Sequence, residues 1–420
     1  MRKLTVKNFS VIKDAELEFG KITVLIGPQS SGKSLLCKLA YFLGREVIRI
    51  AIDLVVGQRP IFEIETAVHK EFARWFPRGG WGNEAWSISF TDNNYEVTIS
   101  ALAENKANIP VAISFKRDFA VAYEKRLQST IETKQKNGFL LGPALQSRAA
   151  TEFLKVAGRG VWDSSTYIPT ERSYFVDTKK GYRSLASDSD PILQHFANIF
   201  AESLKPSSTG SRVSRFLDGD VVSWQNEWML SFRDGRFLPL SELSSGSKET
   251  LPILTTLDYY ENQRIQSGNL PSAELYNEKL YSFDDFTIEE PESSVFPQTQ
   301  YELIQEIAAL ANKADFVPHF TITTHSPYIL TAFNTLIEAW RVGNKEGKRE
   351  RVAALIPEKY WVNENDFAAY SISNGMLTSI FSKEVAGEEG SGLIDGDFLD
   401  SVSDQLGSEF DKLLDIEYAN

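Results

Sequence analysis

The chain of 420 residues contains one cysteine, Cys37. A single thiol cannot form a disulfide within the chain, and it excludes a cysteine-based metal site. We expect Cys37 to be a small, buried apolar residue. No apolar run reaches the length of a membrane-spanning helix, and the first residues, MRKLTVKNF, lack the hydrophobic region of a signal peptide. The expectation is a cytoplasmic protein without a membrane partner.

The chain also lacks an excess of basic residues. It has 44 Lys and Arg against 57 Asp and Glu, which gives a net charge of −13. Proteins that bind nucleic acid without sequence preference present a basic surface to the phosphates. The charge therefore argues against broad DNA or RNA binding, although one local basic groove stays open.

One motif near the start has a specific physical meaning. The pattern G-x-x-x-x-G-K-S follows the apolar run Ile22–Ile26 and comprises Gly27, Pro28, Gln29, Ser30, Ser31, Gly32, Lys33 and Ser34. A strand, a glycine-rich turn and a helix in this order form a loop whose backbone N–H groups surround phosphates. Lys33 would reach the β- and γ-phosphates, and the Ser34 hydroxyl would bind Mg²⁺. The motif predicts binding of a nucleoside triphosphate.

A second group of candidates follows the predicted strand Phe283–Ile288, which ends in Glu289-Glu290-Pro291-Glu292. A carboxylate at the tip of a strand beside a phosphate loop can hold the water shell of Mg²⁺, and the next one can polarise the attacking water. These roles fall to Glu289 and Glu290. Without the loop of Lys33, such a run would be a solvated acidic turn.

Two further segments contain residues that could contact a γ-phosphate. Ser244, Ser245 and Gly246 begin a predicted helix, where hydroxyls and free N–H groups suit a γ-phosphate, although ordinary helix capping explains the serines equally well. Thr324-His325-Ser326-Pro327 follows the predicted strand His319–Thr323. His325 could contact a γ-phosphate or the attacking water, and a structural histidine is the alternative. His69, His195 and His319 have no such context and are expected to be structural.

The periodicity of apolar residues predicts the remaining elements. Two half-buried strands lie between Leu4 and Phe19, a helix spans 34–55, and two strands lie within 81–100. A strand pair in Val221–Leu240 is predicted to turn at Asp234-Gly235. Residues 111–160 are mostly charged and helical in character, without the sustained heptads of a long coiled coil.

In order and spacing, these motifs resemble the ATPase head of the ABC superfamily, in the branch of the SMC, RecF, OLD-family and zinc-hook repair proteins. The resemblance implies an α/β fold, a mixed sheet around the phosphate loop with a helical lobe and an inserted segment. It makes Gly27–Ser34 the Walker A loop, Leu243–Lys248 the signature loop, Glu289 and Glu290 the Walker B carboxylates, and His325 the switch histidine. The chain departs from the family's pattern at three places. Glu289 stands where many members have aspartate, and Lys248 ends the signature where glutamine or glutamate is frequent. At the D-loop, the stretch Ser293-Ser294-Val295-Phe296 lacks the histidine and leucine that are usual in OLD-like relatives. Gln128 and Gln146 are the candidates for a Q-loop glutamine.

The same resemblance implies the domain organisation of the chain. We expect one ATPase head over 1–420. Its nucleotide-binding core would comprise 1–100 and 161–345, with the helical signature lobe at about 185–280. Residues 101–160 would be a largely helical insertion, and 346–420 a C-terminal extension.

The resemblance also implies cofactors and partners. ATP and Mg²⁺ would be shared across a homodimer or higher oligomer. The segment Tyr167–Arg172 resembles the "IPxER" segment of ATPase subunits of anti-phage defence systems of the Septu or PARIS type, and Arg172 would contact phosphate or a neighbouring protomer. A structural ion pair is the alternative for this arginine.

These motifs and the charge of the chain leave three functions to compare. The first is a defence ATPase that controls a separate effector nuclease, and the second is a RecF-like repair ATPase that acts on DNA directly. The third, a nuclease fused to the ATPase, is disfavoured because about 80 residues follow the head and their D-x-D, Asp395-Gly396-Asp397, lacks a βα framework.

Overall fold

The structure, a computed structural model, describes residues 2–82, 84–92, 95–101, 111–137, 165–177, 190–205, 211–268, 285–313, 318–381, 392–394 and 408–412. The predictions for Gln146, Asp395 and Asp397 lie outside these residues. Among the described helices, none is both long enough and apolar enough to cross a bilayer.

Most of the described strands join one large mixed sheet. Its strands occur in the order β6-β5-β4-β1-β2-β14-β13-β3-β12-β11-β7, and a separate small sheet has the order β10-β9-β8. The bounds are β1 Arg2–Phe9, β2 Ile12–Glu18, β3 Ile22–Ile26, β4 Trp86–Asp92, β5 Tyr95–Ala101, β6 Val111–Phe115, β7 Thr166–Ile168, β8 Gly219–Trp224, β9 Glu227–Phe232, β10 Phe237–Pro239, β11 Asp285–Glu289, β12 His319–Thr324, β13 Phe367–Ser373 and β14 Met376–Ser379.

The sheet has a parallel part and an antiparallel part. Strands β13, β3, β12, β11 and β7 run parallel, whereas each neighbouring pair among β2, β1, β4, β5 and β6 is antiparallel. The sequence reflects this difference. Strand β3 is a continuous apolar run buried on both faces, and β4 alternates between buried and half-buried residues.

The register of the parallel strands brings their ends together. Ile26 pairs with Thr324, and Glu289 pairs with Thr323. Strands β3, β12 and β11 therefore end at nearly the same level, and the segments that follow them lie at one edge of the sheet. Strand β7 ends beside them, since Ile168 pairs with Ile288.

Helices cover both faces of the sheet. Their bounds are Lys33–Tyr41, Val47–Val56, Phe62–Trp75, Arg117–Asn137, Tyr174–Asp177, Pro191–Ser203, Arg212–Phe216, Ser245–Gly268, Pro297–Ala311, Pro327–Gly343 and Arg349–Leu355. A π-helical turn, Phe42–Glu46, joins the first two. The helix predicted over 34–55 is thus continuous apart from this turn.

Two hydrophobic cores lie on opposite faces, because successive side chains of a strand point in opposite directions. Val24 packs into the core that contains Leu254, Leu303 and Leu330. Its neighbour Leu25 belongs to the other core, which also contains Cys37. Cys37 is 1% exposed, as expected for a small buried apolar residue.

The α/β prediction, a mixed sheet around the phosphate loop, is confirmed. Some local predictions are corrected. The expected helical segment 111–160 begins with strand β6, whose Ile113 is buried against the sheet edge. The strand pair in 221–240 is a three-stranded meander with an additional turn at Gln225-Asn226, where both residues have positive φ.

The C-terminal region contributes two strands to the large sheet. Strand β13 lies directly beside β3, and β14 joins β13 to β2. Strand β13 therefore lies in the sheet next to the strand that leads into the loop of Lys33. The remaining domain boundaries stay predictions.

Candidate functional site

The loop between β3 and the helix Lys33–Tyr41 requires its two glycines. Gly32 has φ +108°, and a Cβ atom there would lie 2.4 Å from Ile12 Cδ1. A Cβ on Gly27 would lie 2.3 Å from the carbonyl oxygen of Ile372. The loop therefore passes too close to its neighbours to carry side chains at either position. Within it, Pro28, Gln29 and Ser30 are exposed, and Ser34 is half-buried in the first turn of the helix.

Lys33 is turned back over this loop and is 5% exposed. Its Nζ donates to the carbonyl oxygens of Gly27 at 2.8 Å and Pro28 at 3.0 Å. Nζ also lies 3.1 Å from Nε2 of His325. Burial lowers the pKa of Lys33, while the nearby carboxylates, Glu290 first among them, act in the opposite direction. The lysine thus lies among acceptors in a partly desolvated environment, where a charge interacts more strongly than in water.

Glu290 reaches the same histidine from the end of β11. Its Oε1 lies 3.2 Å from Nε2 of His325. A neutral Nε2 without a proton accepts from Lys33, whereas a protonated Nε2 donates to Glu290. The two contacts are therefore alternatives at one ring nitrogen. The structure brings together Lys33, Glu290 and His325, which the sequence placed in three separate segments.

The backbone of Glu290 is unusual for a residue with a side chain. Its φ is +41°, in the left-handed region. The N–H of Glu290 donates to the carbonyl oxygen of Thr323 at 2.9 Å, which ties the turn to strand β12. Strained backbone of this kind persists where the surroundings fix it, and it is often found at functional sites.

Glu289 is held from the opposite side. The Tyr167 hydroxyl donates to its Oε1 at 2.6 Å, and the N–H of Thr170 donates to Oε2 at 3.4 Å. Glu289 is 3% exposed, and Tyr167 is fully buried. Burial raises the pKa of Tyr167 well above its usual value, and the carboxylate of Glu289 adds to this effect. The tyrosine therefore stays protonated and keeps one carboxylate oxygen in place.

Glu292 is a residue of this site whose role the sequence did not reveal. Its Oε1 accepts from the Thr324 hydroxyl at 2.8 Å and from the N–H of His325 at 2.6 Å. The sequence showed it only as the last carboxylate of the run Glu289–Glu292. The sequence offered one indication of this position. Glu292 follows Glu289 by three residues, with Pro291 between them, and a turn of that length brings the second carboxylate back to the end of the strand.

Of the two alternatives for Arg172, the structure has the structural ion pair. Its side chain is 0% exposed and lies beneath the turn at the end of β11. Nη1 donates to the carbonyl oxygens of Pro169 and Glu289, and Nη2 to that of Glu290. Nε donates to the backbone of Glu249, and Nη2 lies 3.0 Å from the Glu249 carboxylate. With these donors engaged inside the fold, the arginine is a structural link, and the predicted contact with phosphate or another protomer does not fit this geometry.

The serine-rich turn lies beside the segment that follows β11. Ser244 and Ser245 are exposed, and the Ser244 hydroxyl accepts from the N–H of Ser247 at 3.3 Å, as a helix cap does. A Cβ on Gly246 would lie 3.0 Å from the carbonyl oxygen of Ser294. Among the described residues, no hydrogen bond or ion pair joins Ser244–Gly246 to Lys33, Glu290 or His325. Their role in nucleotide binding stays a prediction.

The remaining candidates have structural surroundings. His195 is half-buried beside Tyr41, and its partial burial lowers its pKa to about 3. Burial also lowers the pKa of His319, near Asp285, and that of His69, near Arg78. Gln128 is exposed on the helix Arg117–Asn137. The assignment of a Q-loop glutamine therefore stays open.

The residues around Lys33 fit a bound phosphate chain and Mg²⁺. The Ser31 hydroxyl is buried and makes no hydrogen bond within the described part of the protein. Lys33 supplies a cation beside the loop, and Ser34 supplies a hydroxyl at the start of the helix. Glu289, held by two donors, is fixed as an acceptor for the water shell of a metal ion.

Comparisons with known proteins identify a family. A family model described as an AAA ATPase domain matches residues 83–330. The matched range contains the signature-like turn, Glu289, Glu290 and His325, and it begins after the loop Gly27–Ser34. No curated protein matches the chain.

Solved structures of ATPase heads resemble the chain at low identity. The SMC head domain from Thermotoga maritima is 11% identical, with a TM-score of 0.37 over 90% of this chain and 97% of that chain. The Smc head domain of Pyrococcus furiosus, with an extended coiled coil and bound to the C-terminal domain of ScpA, is 12% identical, with a TM-score of 0.33 over 90% and 96%. The recombination mediator protein RecF with ATP is 12% identical, with a TM-score of 0.36 over 90% and 98%.

The buried position of Arg172 leads to a first prediction. Arg172→Lys should lower the free energy of unfolding by at least about 1–3 kcal/mol, because one ammonium cannot replace the planar set of donors and leaves buried carbonyl oxygens without a partner. Chemical denaturation measures this change. As a control, Arg236→Lys removes an exposed guanidinium and should change stability by under about 1 kcal/mol. A normally stable Arg172→Lys variant that loses only ATP affinity would support the phosphate-contact role instead.

Proposed function

Because the chain belongs to the AAA ATPase domain family, we propose that it binds ATP at the loop Gly27–Ser34 and hydrolyses it with Glu290 and His325. The convergence of Lys33 Nζ and Glu290 Oε1 on His325 Nε2 carries this proposal. A phosphate-binding cation and a general base lie within reach of one titratable ring, which is the composition expected of a site for phosphoryl transfer to water.

Each residue has a distinct part in the proposed reaction. Lys33 binds the β- and γ-phosphates, and the N–H groups of the loop orient them. Ser34 and Glu289 are the residues that would hold Mg²⁺. When bound, Mg²⁺ would polarise the phosphoanhydride of ATP and offset the negative charge that develops on the phosphate during hydrolysis. Ser244, Ser245 and Gly246 of a second protomer complete the phosphate contacts across a two-fold dimer.

His325 links binding to catalysis in this scheme. While Lys33 donates to Nε2, the ring offers no proton to Glu290 at that atom. Once Lys33 turns to phosphate, the ring is able to carry its proton on Nε2 and to donate a hydrogen bond to Oε1 of Glu290, which stays a carboxylate. The carboxylate is then oriented to accept a proton from the attacking water.

We also propose that the output of this cycle acts on a separate effector nuclease in an anti-phage defence system. The similarity of Tyr167–Arg172 to the "IPxER" segment and the charge of −13 support this proposal. A RecF-like ATPase that acts on DNA directly is the competing hypothesis.

The assignment of Lys33 is tested by its removal. Lys33→Ala should weaken binding of a fluorescent ATP analogue by about 10- to 100-fold, the loss of a charge-assisted hydrogen bond to phosphate. Lys38→Ala is the matched control, since it removes a lysine of the same helix that pairs with Asp190 at the surface. Equal affinity of the Lys33 and Lys38 variants would contradict the phosphate-binding role.

The assignment of Glu290 separates binding from hydrolysis. Glu290→Gln should retain ATP affinity and lower kcat by about 10²- to 10⁴-fold, because the amide cannot accept the proton of water. With ATP, sedimentation should show the variant accumulating as a dimer. If the variant forms no more dimer in the presence of ATP than in its absence, the proposal of an ATP site shared between two protomers is wrong.

The division of labour is tested with the purified chain and its native operon. The chain alone should hydrolyse ATP and leave DNA and RNA intact with Mg²⁺ present, and a nuclease should co-purify from the operon. Metal-dependent cleavage by the chain alone would contradict the separate effector. ATPase activity stimulated by DNA, without a co-purifying nuclease, would favour the RecF-like alternative.

A further inference from the structure

Glu292 joins the turn after β11 to the turn after β12. One of its oxygens, Oε1, accepts both the Thr324 hydroxyl, at 2.8 Å, and the N–H of His325, at 2.6 Å. Both donors belong to the turn that carries the imidazole. A hydrogen bond to an ionised acceptor is shorter and stronger than one between neutral groups. The carboxylate therefore fixes the backbone from which the His325 ring projects.

The contacts around Glu292 form a continuous chain. The Thr324 hydroxyl also accepts from the N–H of Ser326 at 2.9 Å, and the Ser326 hydroxyl donates to Gln300 Oε1 at 2.7 Å. Gln300 Nε2 returns to the carbonyl oxygen of Val295 at 2.8 Å, in the turn that follows Glu292. The two turns are thereby held together on both sides of His325.

The second oxygen of Glu292 argues against a role in packing alone. Oε2 is buried and has no hydrogen-bond partner in the described part of the protein. Burial of a carboxylate oxygen without a partner is unfavourable, and a neutral side chain of the same size would avoid it. The two hydrogen bonds that Oε1 accepts account for an acceptor side chain at this position.

We propose that Glu292 is a positioning residue for ATP hydrolysis, which holds the His325 ring within reach of Glu290 Oε1 and Lys33 Nζ. This inference rests on the proposed function. Glu292 acts through His325 and takes no part in proton transfer. Its removal should therefore affect the rate of the chemical step and leave nucleotide binding to the loop Gly27–Ser34 unchanged.

A matched pair of variants tests the acceptor. Glu292→Met keeps the length of the side chain and removes the acceptor, and Glu292→Gln keeps an acceptor oxygen at the same place. With Mg²⁺ and ATP, the Met variant should lose about tenfold in kcat with KM changed by under about twofold, as expected for a misplaced catalytic group. The Gln variant should retain kcat within about threefold of the wild type. Glu302→Met, on the exposed side of the helix Pro297–Ala311, is the control and should keep full activity.

A double-mutant cycle with His325→Ala distinguishes positioning from general destabilisation. If Glu292 acts through the ring, Glu292→Met should cost no more than about twofold in kcat once the imidazole is absent. Should the Met variant fail to fold, Glu292→Ala replaces it in the same cycle.

Several outcomes would overturn this inference. Additive losses of Glu292→Met and His325→Ala in an active enzyme, or a Gln variant as slow as the Met variant, would show that Glu292 does not act through His325. A rise in KM at constant kcat would do the same. A wild-type chain that hydrolyses no ATP would instead overturn the proposed function, and this inference with it.

Discussion

The parallel pairing of β3, β12 and β11 is the constraint on which the site depends. Because these strands are hydrogen-bonded in register, Ile26 lies beside Thr324, and Thr323 beside Glu289. The loop of Lys33, the turn of His325 and the turn of Glu290 must then leave the sheet at one edge. Side chains far apart in the sequence meet there within about the length of a hydrogen bond. A shift in register by one residue would turn them to opposite faces.

Buried charges hold this edge in shape. Arg172 binds the carbonyl oxygens of both Glu289 and Glu290 and pairs with Glu249 at the start of the helix Ser245–Gly268. Its guanidinium therefore connects the left-handed turn at Glu290 with the helix that follows the serine-rich turn. Tyr167, on the neighbouring strand, fixes Glu289. A movement of that helix would displace Arg172 and, through it, the turn of Glu290.

The sequence predicted which segments meet at the edge of the sheet better than it predicted the contacts that connect them. Gly32 and Lys33 were recognisable because a phosphate loop constrains residue type at fixed spacing, and His325 because it follows an apolar strand. For Arg172 the sequence left a structural ion pair and a contact with phosphate or another protomer as alternatives, since no local pattern shows whether an arginine points to solvent or into the fold. Glu292 was missed because its partners, Thr324 and His325, are distant in sequence. Strand β6 was missed although its sequence, VAISF, favours a strand and pairs with β5, because the charged, helical segment that follows it dominated the interpretation.

The central claim is that ATP binds where Lys33, Glu290 and His325 meet. A structure of the wild-type chain with Mg²⁺ and a non-hydrolysable ATP analogue tests it most directly. We expect the phosphates at the loop Gly27–Ser34, with Lys33 Nζ in contact with them and released from the carbonyl oxygens of Gly27 and Pro28. An analogue bound elsewhere, with Lys33 still held by Gly27, Pro28 and His325, would contradict the account.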